Sequence, residues 1–325
     1  MIYGLIDSTV NYFPILAALV IMSVVGFVDD TITLSPRCRL FVEILLLLYL
    51  IFATGNKIDD FYGLWGIERL PGYVAIPMTL FSCAGIINAI NLIDGVDGYS
   101  SGYSIVSCIL FGVMFFYMGM MPMVILAAVT AASLIPFFVY NVFGKHSKMF
   151  LGDAGTLSLG IIFSIFVMAL LSSGLSERLT LGMGLVPFAL AVLCIPVFDT
   201  LRVMVMRMIR GVSPSSPDKT HLHHLFIELG YSHIGTTVSI ISMNLFVVMC
   251  WFVAYKLGLS VDVQLYIVIA LGVLMTFGFW LFIKSQIRNN TVIYRVINKI
   301  GSSTCMNDKK SWRVLQARLD KISNI

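Results

Sequence analysis

The sequence predicts an all-α fold, a polytopic integral membrane bundle of about nine transmembrane helices with its polar loops gathered at one membrane face. Three observations support this prediction. Of the 325 residues, 58% are hydrophobic and only 12% are charged, whereas a soluble globular chain has about 25% charged residues. Apolar stretches close to the roughly 20 residues that cross a bilayer recur along the whole chain. These stretches lack the alternation of a membrane β-barrel.

The apolar stretches define the expected spans and divide the chain into two regions. Backbone groups in lipid must bond to one another, so each span is expected to be a helix. The nine expected spans are residues 13–28, 39–54, 73–93, 102–121, 122–142, 156–173, 183–203, 235–257 and 263–284. We expect residues 1–284 to form a transmembrane domain and residues 285–325 to form a basic cytoplasmic tail.

The basic residues predict how the chain is oriented in the membrane. With alternating spans, seventeen Lys and Arg residues fall on one side and four on the other. Cytoplasmic loops are enriched in these residues, so we expect the first side to be cytoplasmic and the C-terminus to lie inside. The nine basic residues from Lys284 onward are expected to bind anionic membrane lipid, at about 1 kcal/mol each near the surface. We expect no nucleic-acid partner.

The first expected cytoplasmic loop carries two adjacent carboxylates, Asp29 and Asp30. At about 4 Å and an effective dielectric near 20, two like charges repel by on the order of 4 kcal/mol. A nearby cation such as Mg²⁺ would offset this repulsion, and a solvated helix end is the alternative interpretation. Arg37 is a candidate phosphate contact, whereas Arg39 is expected to pair with Glu43 four residues later.

Carboxylates and glycines are interleaved where the third span meets polar sequence. Asn91, Asp94 and Asp97 follow one another at intervals of three, so a helix end would place them on neighbouring faces. The glycines between them free the backbone to turn and allow a ligand to approach closely. Acidic groups at that depth are costly unless they face a cation, a partner charge or water. This stretch is the centre of the candidate site.

The third expected cytoplasmic loop supplies three further candidates. Asp153 directly precedes an apolar span, where backbone N–H groups and the helix dipole favour an anion. It is therefore either a functional carboxylate or a helix cap. Phe150 is a candidate for stacking on a base, or else an anchor at the membrane boundary. Asn141 is a further polar candidate at the start of this loop.

The fourth expected cytoplasmic loop is rich in histidine. His221, His223 and His224 fall within four residues, but no cysteine or nearby acid completes a tetrahedral zinc set. Hydrogen bonding to phosphate or sugar, with Arg210 nearby, suits the loop better than zinc, and a surface cap without chemistry is the alternative. Asp199 is expected to pair with Arg202 and to be mainly structural.

Together these loops resemble those of the polyprenyl-phosphate N-acetylhexosamine-1-phosphate transferase superfamily, the glycosyltransferase 4 group of membrane enzymes. The matching stretches are GFVDD (26–30), NAINLIDGVDG (88–98), MFLGDAG (149–155) and SPDKTHLHH (216–224), in the family's order. The last stretch is similar to the bacterial branch that uses UDP-GlcNAc or a related amino sugar. The peptidoglycan branch usually has three adjacent histidines, which Leu222 interrupts here.

The resemblance implies a reaction and a set of residue roles. Undecaprenyl phosphate would attack the β-phosphorus of a UDP-N-acetylhexosamine and release UMP, in a bacterial inner (plasma) membrane. Mg²⁺, or Mn²⁺ in its place, would neutralise charge, which is the main need of phosphoryl transfer. The implied roles are metal binding for Asp153 and Asp94, contact with metal or nucleotide for Asp97, lipid-phosphate positioning for Asp29 and Asp30, diphosphate and sugar binding for Arg210, His221, His223 and His224, and nucleoside contact for Asn91, Asn141 and Phe150.

One departure from the family pattern leaves two rival hypotheses open. Members normally begin with two further helices and a basic loop with a Gly-Gly, so we expect a truncated or misannotated start. An inactive homologue is one alternative, because the missing loop would remove substrate contacts. A membrane transporter is the other, although it would need ionisable residues near mid-membrane. The oligomeric state stays open, and a homodimer is compatible with the sequence.

Overall fold

The chain folds as a bundle of helices, which confirms the predicted all-α membrane architecture. The computed structural model describes residues 12–173, 182–213, 220–304 and 310–323, and all the helices named below lie within these ranges. They are α1 (Phe13–Ile32), α2 (Pro36–Thr54), α3 (Gly72–Leu92), α4 (Tyr99–Tyr117), α5 (Met121–Phe143), α6 (Gly152–Leu170), α7 (Leu185–Val192), α8 (Cys194–Ile209), α9 (Leu222–Glu228), α10 (His233–Lys256), α11 (Val261–Val273), α12 (Phe279–Arg288), α13 (Val292–Ser303) and α14 (Lys310–Ser323).

The spans agree with the sequence prediction at most positions. In the described part of the chain, seven helices are long and apolar enough to cross a membrane, with α11 and α12 joined through a π-helical turn as one span. The second expected span is also a helix, α2, but Arg37, Arg39 and Glu43 lie in it. These charged residues make α2 less apolar than the seven candidate membrane spans.

The seventh expected span, residues 183–203, is not one straight helix but a broken one. Its two halves, α7 and α8, meet at an angle of 73°. Pro196 has no N–H to bond to the carbonyl of Val192, so the helical ladder stops there. That carbonyl instead accepts hydrogen bonds from the Tyr103 hydroxyl, at 2.5 Å, and from the Asn244 amide, at 3.0 Å. The broken ladder is thus completed by side chains of neighbouring helices.

Helix α6 lies at the centre of the bundle, between α1 and α3, and is buried along most of its length. Glycines allow the close approach on both sides. A Cβ on Gly26 would lie 2.5 Å from the carbonyl carbon of Asp153, and one on Gly160 would lie 2.6 Å from the Cα of Ile87. Because small residues let helix backbones pack closely in membranes, α1 and α3 both pack tightly against the helix that begins at the candidate site.

Two helices, α13 and α14, follow the apolar spans and pack against one end of the bundle. Helix α13 exposes Val292, Val296 and Ile300, which recur at intervals of four. Such an apolar stripe on a basic segment is typical of a helix lying in the membrane interface. Helix α14 returns to the bundle, because the buried ring of Trp312 lies 4.8 Å from that of Phe143 at the end of α5. The assignment of residues 285–325 to a separate cytoplasmic tail stays a prediction.

Candidate active site

The end of α1 meets the beginning of α6 through Asp30. Its carboxylate accepts the backbone N–H of Asp153 at 2.9 Å and that of Ala154 at 3.3 Å. Gly152 precedes them with a φ of +63° and leaves no room for a Cβ beside the Asp30 carboxylate. Asp30 therefore caps α6 from another helix, and its charge interacts favourably with the positive end of the helix dipole.

Asp29 bonds different partners from Asp30, so the two adjacent carboxylates have different surroundings. Asp29 is buried and accepts the backbone N–H of Leu34 at 2.6 Å and a guanidinium N–H of Arg39 at 3.2 Å. The predicted pair of Arg39 and Glu43 is present at 3.6 Å, whereas Arg37 is exposed. Arg39 and a loop N–H thus stabilise the Asp29 charge, while its action on the lipid phosphate stays a prediction.

Asn91 holds the carboxylate of Asp153. Its amide N–H₂ donates to Oδ1 of Asp153 at 2.7 Å and to the hydroxyl oxygen of Thr156 at 2.9 Å. The end of α3 and the first turn of α6 are therefore joined at the carboxylate that the sequence singles out as the metal ligand. A nucleoside contact of Asn91 stays a prediction, and the structure adds a role in orienting Asp153.

Asp94 lies in the loop between α3 and α4, where its side chain is exposed at the surface and surrounded by other acids. Partial desolvation by the surrounding protein raises the pKa of its carboxyl to about 6, and the negative charges of Asp153, Asp97 and Asp30 act in the same direction. The hydroxyl of Ser100 donates to its Oδ1 and opposes this shift. A carboxyl placed among like charges gains stability from a nearby cation.

The carboxylate of Asp97 is contacted by two basic side chains that the sequence did not point to. The Lys148 ammonium lies 2.7 Å from its Oδ2, and Nδ1 of His233 lies 2.5 Å from the same oxygen. Partial burial raises the pKa of Asp97, but the hydrogen bonds from His233 and Lys148 outweigh it and lower the pKa overall. Asp97 is therefore an ionised, charge-paired carboxylate.

Asn141 lies in the last turn of α5 and Phe150 in the loop before α6, and the two have contrasting surroundings. Asn141 is buried, its side-chain oxygen accepts the N–H of Gly98 at 2.5 Å, and its N–H₂ donates to the carbonyl of Met149 at 2.7 Å. It ties the two site loops together. Phe150 is 75% exposed, with the Lys148 ammonium 5.3 Å from its ring centre. An exposed ring beside a cation is available for stacking, so the Phe150 prediction stays open to test.

The loop that carries His221, His223 and His224 (the histidine loop) is held at the same end of the bundle by hydrogen bonds to Asp199. Nδ1–H of His221 donates to Asp199 at 2.9 Å, while Arg202 donates to the other carboxylate oxygen at 2.7 Å. The predicted pair of Asp199 and Arg202 is thus confirmed, and the carboxylate also orients a histidine. His223 lies directly over Gly95, where a Cβ would overlap its Nε2. The histidine loop and the aspartate loop are in direct contact.

The rings of the three histidines lie close together. The rings of His221 and His223 are nearly parallel, 5.6 Å apart, and that of His224 lies 4.2 Å from His223. Burial, with the two neighbouring rings, lowers the pKa of His223 to about 3, so it is neutral near pH 7. Within the described residues, Nε2 of His221 and Nδ1 of His223 are buried and receive no hydrogen bond.

Two predicted features of this region are less closely tied to the site. Arg210 is exposed at the C-terminal end of α8. Residues 214–219, which include the Ser-Pro-Asp-Lys part of the fourth matching stretch, lie outside the described residues. Contact of Arg210 with the diphosphate therefore stays a prediction.

A double substitution can separate the two roles of Asp199. Asp199→Asn should leave the buried Arg202 charge uncompensated, lowering stability by about 3–5 kcal/mol, and should reduce turnover by releasing His221. Adding Arg202→Met removes the buried charge, so the melting temperature should partly recover while activity stays low. Thermal unfolding and turnover of the two variants and of the unaltered chain would check this. Full recovery of turnover in the double variant would show that Asp199 acts only through stability.

The donor set at this end of the bundle fits a hard divalent cation. The carboxylates of Asp94 and Asp153 offer oxygen ligands to a metal. They lie close enough that the negative charge of Asp153 raises the pKa of Asp94. Within the described residues, no three His, Cys, Asp or Glu side chains converge to hold a metal alone. Mg²⁺ usually takes one or two carboxylates and completes its shell with water and substrate phosphates, so the arrangement suits it.

Comparison with known proteins agrees with this site. The model of the glycosyl transferase family 4 matches residues 12–171. Through these residues, the chain belongs to glycosyl transferase family 4. The matched range contains the three aspartate-bearing stretches and α6, so the family region coincides with the carboxylate half of the site. The histidine loop lies beyond it.

Curated relatives of this family member align over a longer part of the chain. The probable undecaprenyl-phosphate N-acetylglucosaminyl 1-phosphate transferase of Bacillus subtilis is 36% identical over 214 residues, 66% of this chain and 57% of the relative. The undecaprenyl-phosphate alpha-N-acetylglucosaminyl 1-phosphate transferase of Yersinia pestis is 31% identical, over 64% and 56%. The enzyme of that name from Escherichia coli K12 is 27% identical, over 71% and 62%. The chain thus spans less than two thirds of each relative's length.

Proposed function

We propose that this protein transfers N-acetylglucosamine-1-phosphate from UDP-GlcNAc to undecaprenyl phosphate and releases UMP. The observation that carries the proposal is the convergence of the aspartate and histidine loops, seen in the contact of His223 with Gly95. Loops that are far apart in the chain thereby form one anionic and hydrogen-bonding pocket at a helix-bundle end. The names of the relatives support the choice of sugar and lipid.

We propose Asp94 and Asp153 as the residues that hold Mg²⁺, or Mn²⁺ in its place. Asn91 orients Asp153 for this purpose by its hydrogen bond at 2.7 Å. The ion would supply charge neutralisation at the diphosphate of the sugar nucleotide. Asp30 would keep the first turn of α6 in place, since it accepts two of the N–H groups that begin that helix.

The chain's own residues suit a direct displacement at phosphorus. An oxygen of the lipid phosphate attacks the β-phosphorus, and the bond from that phosphorus to the bridging oxygen breaks, so UMP leaves with the electron pair. A phosphate monoester has a second pKa near 6 and is largely ionised at pH 7, so no strong base is needed. His221 and His223 would bind diphosphate or sugar through their buried ring nitrogens, with Arg210 at the periphery.

The proposed reaction fixes the orientation of this multi-pass membrane protein. UDP-sugars are made in the cytoplasm, so the site end of the bundle would face the cytoplasm in the bacterial inner membrane, as the basic residues predict. All the residues named lie on one chain, so the proposal applies to a monomer and to a homodimer alike. A downstream role in surface polysaccharides such as O-antigen and lipopolysaccharide would follow.

The proposal is tested by following UMP release from the purified full chain in lipid nanodiscs. With UDP-GlcNAc, undecaprenyl phosphate and Mg²⁺, we expect UMP and a lipid-linked sugar diphosphate in equal amounts. Removing divalent ions with EDTA should abolish the reaction, and adding Mg²⁺ or Mn²⁺ back should restore it.

Controls without lipid phosphate, or with UDP-glucose in place of UDP-GlcNAc, should release little UMP. A transporter would instead move solute across the bilayer without forming UMP, and an inactive homologue would do neither. Undiminished UMP release in EDTA would exclude the metal assignment while leaving the transfer reaction standing.

A further inference from the structure

The last helix of the chain contacts the loop that precedes α6. One oxygen of the Asp320 carboxylate accepts the backbone N–H of Lys145 at 3.4 Å, of His146 at 3.1 Å and of Ser147 at 3.1 Å, and also the Ser147 hydroxyl at 2.8 Å. Consecutive backbone N–H groups pointing at one anion form a concave binding site. This site is filled by a residue more than 170 positions away.

A second contact fixes α14 independently of Asp320. Trp312 is only 8% exposed, and its ring lies 4.8 Å from that of Phe143, the last residue of α5. Leu319 is equally buried and lies seven positions after Trp312, on the same helix face. Helix α14 therefore covers both the end of α5 and the loop that follows it.

The loop held in this way carries a charge into the candidate site. Lys148 directly follows the three N–H groups that Asp320 accepts, and its ammonium lies 2.7 Å from Asp97. Two residues later comes the exposed ring of Phe150, and α6 begins at Gly152. A displacement of residues 145–147 would therefore change where the Lys148 ammonium lies relative to Asp97.

We propose that α14 is a strap, and that Asp320 is a positioning residue which holds loop 144–148 so that Lys148 neutralises Asp97. The inference rests on the proposed function, because Asp97 lies in the loop that contacts His223, one of the residues proposed to bind the sugar diphosphate. Release of the strap would leave more uncompensated negative charge beside a dianionic substrate. Binding of the UDP-sugar would suffer more than the chemical step.

Kinetics of full-chain variants test this proposal. Asp320→Ala should raise the KM for UDP-GlcNAc about fivefold, the low end of coupling between sites, with a smaller change in kcat. Asp320→Asn keeps a carbonyl acceptor and should give a smaller rise. Lys321→Gln, a charge change at the next, exposed residue of α14, is the matched control and should leave both constants unchanged.

A double-mutant cycle shows whether Asp320 acts through Lys148. If it does, Asp320→Ala should add nothing to the KM of Lys148→Met, because the interaction it supports is already gone. Effects that multiply in the double variant would overturn the proposal, since the two residues would then act separately.

Amide hydrogen exchange gives a readout that does not depend on activity. In Asp320→Ala, exchange at residues 145–147 should accelerate, while exchange in α6 stays as in the unaltered chain. Unchanged exchange at 145–147 would overturn the strap, and faster exchange with unaltered KM would overturn its role in positioning Lys148. If the proposed function itself is wrong, the unaltered chain will release no UMP. That result differs from both outcomes above, which concern the Asp320→Ala variant.

Discussion

Replacement of Asp153 by asparagine should reduce UMP release by about 10²–10³-fold, the scale on which loss of one electrostatic stabiliser of the reacting group acts. Asparagine has nearly the same shape, so the hydrogen bond with Asn91 can persist. The cap of α6 should persist as well, because Asp30 accepts backbone N–H groups at this position and not the side chain. Only the charge is removed.

The measurements are the initial rate of UMP release and the melting temperature of the same sample. Glu228→Gln is the matched control, since it removes one carboxylate that pairs with Lys284 on the exposed surface of α9. It should cost little activity, because exposed ion pairs contribute only about 0–1 kcal/mol. Near-normal turnover in a folded Asp153→Asn variant would refute the metal assignment.

Gly26→Ala should abolish activity through packing alone. A Cβ at this position would lie 2.5 Å from the carbonyl carbon of Asp153 and closer still to the backbone of Ala154. These are backbone atoms, so α1 must move away from α6. Overpacking costs about 1–3 kcal/mol or more. The same movement would withdraw Asp30, four residues later on α1, from the first turn of α6.

Gly85→Ala is the matched control for this prediction. Gly85 lies inside α3, and a Cβ there would meet no atom within 4 Å. The added methyl group should be neutral or slightly favourable, because alanine is a better helix former than glycine by about 1 kcal/mol. Melting temperature and UMP release together test the pair. Full activity in Gly26→Ala would mean that the close approach of α1 and α6 is not needed to place Asp30.

Most of the fold and the location of the site could be predicted from the sequence. Span lengths identify membrane helices, and alternate spans must return to the same side, so the loops bearing Asp30, Asp94 and Asp153 were expected at one end of the bundle. The structure brings these loops together there. The broken seventh span was missed, although Pro196 is a visible signal, because a proline inside an apolar stretch does not by itself show that neighbouring side chains will complete the broken ladder.

The partners of individual side chains could not be predicted in the same way. Lys148 and His233 belong to no motif that the sequence analysis recognised, yet both contact the Asp97 carboxylate. Asp199 was expected to pair with Arg202 three residues away, and that local contact is present. Its bond to His221, 22 positions later, depends on how the loop folds back over α8.

The sequence by itself determined that this chain is a multi-pass helical membrane protein, with its acidic and histidine motifs placed to meet at one end of the bundle. Hydropathy and the length of a membrane span are local properties, so they can be read from consecutive residues. Only the tertiary structure decided that Asp29 faces Arg39 while its neighbour Asp30 caps α6. Adjacent residues on a helix point in different directions, so the packing of α1 against α2 and α6 selects each partner.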